Sequence, residues 1–189
     1  MQSLILKGFI ITLTTLLFAC SSGVKHVIVN PELLTSSSNA YQQKQAQISF
    51  TDLRRANHIV QILRANAAAE LYSPQQPLID IIKTSLSAGL KKNGLQLQPL
   101  AANQIEVIVD NALISVQQEL VKYQAHNAIS VRVIANNGQK TLTKTFKISG
   151  NSNGPFSADI AVLERDFNQQ LAKLLTQITN NKELQAFLN

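Results

Sequence analysis

Residues 103–150 read NQIEVIVDNALISVQQELVKYQAHNAISVRVIANNGQKTLTKTFKISG, and the period-two alternation in them decides the fold. Ile105, Val107 and Val109 alternate with Glu106 and Asp110, and the apolar phase then shifts to Ala112, Ile114 and Val116. Slipping by one residue sends every side chain to the other face, so a phase shift inside one strand predicts a bulge or sharp bend near Asn111. Val121, Tyr123, Ala125, Ile129, Val131 and Val133 share a face of the next strand, with Lys122, Gln124, His126, Ser130 and Arg132 opposite. Asn136-Asn137-Gly138 predicts a type I′ hairpin, because Asn-Gly accepts positive φ. Leu142, Phe146 and Ile148 then alternate with Thr143, Thr145 and Lys147 on the return strand, and residues 150–155 read as a polar break.

Working outward, the flanks are helical. Leu78, Ile82, Leu86 and Leu90 recur every four residues and predict an amphipathic helix. Ser73-Pro74 or Gln76-Pro77 can start it, and Lys91-Lys92-Asn93-Gly94 ends it with cations and a glycine suited to the left-handed cap. Downstream, Ile160, Leu163, Phe167, Leu171, Leu174 and Ile178 step by threes and fours and predict a long helix over about 157–178. Asp159 falls in its first turn, Asn180-Asn181 stops it, and residues 182–188 suit a short last helix. Upstream, Val27-Ile28-Val29 reads as a strand halted by Asn30-Pro31, residues 35–47 as a polar loop, and residues 48–53 as a half-buried strand. Residues 58–63 suit a further strand or an irregular segment. The Ala67–Leu71 stretch reads as locally helical or as a lead into the next element. The expected architecture is a single-domain α+β fold: an antiparallel sheet, of three long strands plus N-terminal strands, packed by two amphipathic helices.

Lys7 precedes an apolar run from Gly8 to Ala19 that is too short to span a bilayer comfortably. It ends in Leu17-Phe18-Ala19-Cys20, similar to a bacterial lipobox. Residues 1–19 then read as a signal peptide, 20–26 as a lipidated tether and 27–189 as the periplasmic domain. Cys20 is the expected lipid attachment site, and several acyl chains on it would anchor the chain stably. Ser21 in place of Asp, by resemblance to enterobacterial sorting rules, points to the outer membrane.

Composition narrows the activity. Cys20 is the one cysteine, which excludes an intramolecular disulfide and a cysteine-based zinc site. Without residues 1–19 the formal charge falls from +6 to +5, from 16 cationic against 11 acidic side chains. These charges are scattered rather than gathered into an arm, and tryptophan is absent, so nucleic acid is not the expected partner. His26, His58 and His126 lack metal-ligand spacing and read as surface or strand-face residues. Glu106 and Asp110 can share a strand face, as paired acids would, and read more simply as solvated polar residues. Ser22-Gly23-Val24-Lys25 spells a Ser-x-x-Lys string in the tether, away from any helix start. Asp52, Arg54 and Arg55 suit a surface ion pair at a strand edge. No catalytic residue, cofactor or metal is assigned.

The lipobox, the helix into Lys91-Lys92-Asn93-Gly94-Leu95 and the strand from Ile105 to Val116 together resemble the YajG family of uncharacterised bacterial lipoproteins. So do Val121-Lys122-Tyr123-Gln124-Ala125, the Ala135–Thr141 turn, Gly154-Pro155-Phe156 and the end from Lys182 to Leu188. The resemblance implies an outer-membrane lipoprotein and brings no catalytic residues with it. The expected role is a non-enzymatic accessory or binding protein of an envelope assembly, held to the membrane by its acyl chains and meeting an envelope protein partner. Direct binding of peptidoglycan or an anionic glycolipid is the alternative, and an envelope hydrolase ranks third.

Overall fold

A computed structural model describes residues 25–34 and 37–188. The expected signal peptide, the lipobox and Cys20 lie outside the described residues. The strands are β1 (Lys25–Val27), β2 (Gln45–Asp52), β3 (Val60–Arg64), β4 (Glu70–Pro74), β5 (Gln96–Leu97), β6 (Asn103–Gln118), β7 (Lys122–Asn136) and β8 (Thr141–Pro155). The helices are α1 (Leu78–Lys92), α2 (Ile160–Thr179) and α3 (Lys182–Leu188).

β6 is the spine of the sheet. One edge of it pairs antiparallel with β7 along its length, and β7 pairs antiparallel with β8. The other edge is shared: β2 runs parallel to residues 103–109, and β3 runs parallel to residues 114–118. The predicted irregularity falls in the gap between those two partners, where the register with β7 shifts between Val109 and Asn111. β2 leaves at Val109, whose carbonyl accepts from Leu53, and β3 joins where Ile114 donates to Ile59. The extra residue keeps Ile105, Val107 and Val109 on the same buried side as Ala112, Ile114 and Val116.

The sheet is therefore mixed, where a purely antiparallel one was expected. The three long strands are antiparallel as read, while β1 runs parallel to β4, and β2 parallel to both β5 and β6. Alternation reports which face a strand buries and carries no information on its direction. Smaller departures have local causes. β1 ends at Val27, because the Ile28 and Asn30 amides are taken by Glu164 and Asn168 side chains of α2. Its first residues, Lys25 and His26, belong to the segment read as tether. Residues 70–74 form β4, so the stretch read as locally helical or as a lead into the next element does the latter. β8 continues through the expected break at 150–155 in unbroken register with β7. The β7–β8 hairpin forms with a four-residue loop in which Gly138 has positive φ and Asn137 does not, so it is not type I′. There the Asn137 carboxamide accepts from the Gln139 and Lys140 amides.

One face of the sheet carries the helices. Leu78, Ile82, Leu86 and Leu90 of α1 and Leu163, Phe167, Leu171, Leu174 and Ile178 of α2 are buried in one core with the inward residues of β6 and β7. α1 closes with paired bonds from Gly94 N to Lys91 O and from Leu95 N to Leu90 O, and Gly94 holds φ +88°. That is the Schellman geometry expected of a glycine placed just past the helix. Asp159 is the N-cap of α2, one position before its first turn, and accepts from Ala161 N at 2.9 Å. Tyr41 is fully buried against the helix pair and donates to Thr179 O at 3.2 Å. Burial pushes its phenol well above the usual range.

Candidate functional site

The sequence-derived candidates fall at separate places. His26 pairs with Ser73 in the β1–β4 ladder, His58 lies just before β3, and His126 on β7 meets Asn151 Oδ1 at 2.6 Å through Nδ1. Among the described residues no three His, Cys, Asp or Glu side chains gather closely enough to hold a metal ion. Glu106 accepts a long bond of 3.4 Å from the Thr51 hydroxyl, and Asp110 pairs with Arg132 at 2.7 Å. Each carboxylate thus has its own partner on the helix-free face. Lys25, from the Ser-x-x-Lys string, is engaged by Glu70, and Ser22 lies outside the described residues.

Asp52 and Arg54 do pair, and more tightly than a surface pair would. Nε reaches Oδ1 at 3.0 Å and Nη2 reaches Oδ2 at 2.8 Å, with the Arg54 side chain only 6% exposed. Burial pushes the Asp52 carboxyl up, and the Arg54 hydrogen bonds and charge outweigh it, leaving the group below the usual range. Arg54 Nη1 is buried without a partner. Beside it a recess of about 300 Å³ is lined by Asp52, Arg54, Asn57, Ser73, Gln75 and Leu78. Its one cation is already neutralised by Asp52, so the recess offers a hydrogen bond to a small polar group and no acid–base pair for catalysis. Arg55 is exposed.

Two arrangements were not visible in the sequence. The first is a cluster around Glu70, which takes Lys25 at 2.6 Å and Arg64, with Tyr72 donating to it at 3.2 Å. The Lys25 and Arg64 hydrogen bonds draw its carboxyl down to about 2. These partners come from β1, β3 and β4, and no local spacing announces them. The second is the outer edge of β8. Among the described residues β8 hydrogen-bonds as a strand through β7 alone, over fifteen residues and without a bulge. Protected edges commonly carry bulges, prolines or charges. Here Pro155 stands at the very end, Lys144 is tied to Glu183 of α3, Lys147 is an exposed charge, and the remaining side chains are mostly Thr, Ser and Asn.

A family model described as an uncharacterized lipoprotein, Lipoprotein_16, matches residues 31–189. No curated protein matches the chain. Among solved structures, a Xanthomonas campestris protein of the DUF330 family superposes with a TM-score of 0.57 at 14% identity, covering 85% of this chain and 96% of its own; the likeness is one of fold. A neuraminyllactose-binding hemagglutinin homolog from Helicobacter pylori gives a TM-score of 0.46 at 10% identity, over 84% of this chain and 93% of its own. The rare lipoprotein B from Shewanella oneidensis gives 0.36 at 12% identity, over 76% and 92%. No helix among the described residues is long and apolar enough to cross a membrane.

Proposed function

The chain belongs to the Lipoprotein_16 family of uncharacterized lipoproteins, the YajG family, and from that premise we propose an anchored, non-enzymatic accessory protein of the bacterial envelope. Cys20 carries the acyl chains, Ser21 directs the protein to the outer membrane, and the folded domain faces the periplasm. It works by holding an envelope protein partner. The observation that carries this reading is the edge of β8, fifteen residues of unbulged strand with no strand paired to its outer side among the described residues. Such an edge accepts an extended segment of another protein by main-chain hydrogen bonding, with alternate side chains giving selectivity. The separate engagement of Glu106 and Asp110 and the neutralised Arg54 supply no reactive pair to support hydrolysis.

The test is crosslinking in intact cells, followed by purification of the protein from detergent-solubilised envelopes, with Cys20→Ser as control. A reproducible protein partner that is lost in the control supports the reading. Enrichment of cell-wall fragments or glycolipid without a protein overturns it in favour of direct envelope-polymer binding.

A further inference from the structure

At the end of the sheet where β6 turns into β7, three apolar side chains stand in solvent: Leu120 is 98% exposed, Val121 68% and Phe156 71%. They are neighbours in a braced tip. Phe156 N donates to Val121 O at 2.8 Å. The Gln118 amide nitrogen donates to the carbonyls of Glu119 at 2.8 Å, Lys122 at 3.3 Å and Phe156 at 2.7 Å. Its oxygen accepts from Ala158 N at 3.0 Å, so one side chain ties the hairpin to the segment leaving β8. Phe156 holds φ +59°, a conformation that bulky L residues rarely adopt. The strained backbone does not place the ring in the core; it holds the ring outward.

The register of the sheet says what lies near this tip. Arg64 at the end of β3 is level with Gln118, while Lys25 is level with Tyr72, Val60 and Ile114 across four strands. β1 runs parallel to β4, which leads away from the tip, so the chain enters β1 from the tip side. Lys25 lies three strands across from β6, about 14 Å, and four positions back from Gln118, about 13 Å along the strands. Five peptide steps separate Cys20 from Lys25, a reach of at most about 17 Å. That reach exceeds the set-back along the strands, so Cys20 can stand level with the Gln118 end of the sheet, and a bilayer holding its acyl chains there would meet the tip that carries Leu120, Val121 and Phe156.

Resting on the anchored-lipoprotein reading, we propose that Leu120, Val121 and Phe156 are a second membrane contact, dipping into the headgroup–acyl boundary of the leaflet that holds Cys20. A convex tip of three side chains is too small for a stable protein interface, which takes roughly 800 Å² per partner. A lipid surface closes around a small apolar insert without needing a matching pocket. The contact fixes how the domain stands on its tether, with the β7–β8 hairpin pointing away from the membrane.

The test uses the full acylated protein in phosphatidylethanolamine–phosphatidylglycerol vesicles that contain a lipid-borne nitroxide quencher. Acylation consumes the Cys20 thiol, so a fluorophore on Glu119→Cys reports the tip and one on Gln139→Cys reports the far end of β7. Quenching at position 119 should exceed that at 139 several-fold, and should fall to the level at 139 when Leu120→Ser and Phe156→Ser are added. Acylated protein with equal quenching at both sites overturns this inference alone. Protein whose mass shows no acyl group on Cys20 overturns the anchored reading and this inference with it.

Discussion

Asn127 is 5% exposed on β7, and neither its amide nitrogen nor its oxygen has a hydrogen-bond partner. Opposite it stands Gly150, where an added Cβ would meet the Gln170 amide nitrogen at 2.5 Å; Gln170 Oε1 is also unpartnered. A buried amide without bonds costs about 1–3 kcal/mol, and a β-branched apolar residue suits the strand. Asn127→Val should therefore raise the urea midpoint by the equivalent of about 1–2 kcal/mol; a midpoint that falls would refute this account. Glu70 gives a prediction in pH. Its carboxyl is drawn from an ordinary 4.5 to about 2 by Lys25 and Arg64. A depressed carboxylate stabilises the fold fully above the unfolded value, and that contribution is lost as pH falls from about 4.5 through 2. Stability measured across that window should fall more steeply in the natural chain than in Glu70→Gln, and identical slopes would show that the cluster contributes nothing. Because Lys25 opens β1, the same titration should loosen the strand that joins the tether to the sheet.

The helices pack closely because one of them is notched. Gly89 of α1 lies against Thr179 at the end of α2, and a Cβ on it would come within 2.8 Å of the threonine methyl and 3.1 Å of the Leu33 Cδ2 methyl. Alanine gains about 1 kcal/mol of helix propensity over glycine, while overpacking costs about 1–3 kcal/mol. Gly89→Ala alone should therefore be neutral to destabilising. In a Thr179→Ser background, which removes the methyl and keeps the hydroxyl that bonds Thr176 O, only the mobile end of Leu33 still crowds the new methyl, and the same change should cost less or gain up to about 1 kcal/mol. Chemical denaturation of the four chains in that cycle checks it; strict additivity would mean that the two residues do not touch in solution. Both helices were legible from their apolar steps at three and four, and the Schellman end of α1 from Asn93-Gly94. β4 was not, because Glu70-Leu71-Tyr72-Ser73-Pro74 follows an alanine run and hardly alternates; only pairing with β1 and β3 makes it a strand.

At the scale of the whole molecule, the sequence announced the layers and left the directions hidden. The bulge near Asn111 was written in the shift from Val109 to Ala112, but its purpose, a seam between β2 and β3 on one edge of β6, depends on segments some fifty residues upstream. The Glu70 cluster and the Leu120–Phe156 tip were hidden for the same reason, since each joins residues far apart in the chain. So was the second half of β8: Gly150-Asn151-Ser152-Asn153-Gly154 has the composition of a loop and is a strand because β7 supplies its partners. That dependence makes β8 a test of the whole architecture. In an edge strand, amides directed at the neighbour are protected from exchange and those directed outward are not, so hydrogen exchange along residues 141–155 should alternate between slow and fast. β7, paired on both sides along its length, should show no such alternation. If the envelope partner docks by adding a strand, its binding should slow the fast set along β8 and leave the amides of α1 unchanged. Slowing confined to the helix layer, with the β8 pattern intact, would place the partner on the other side of the molecule and end the edge-pairing account.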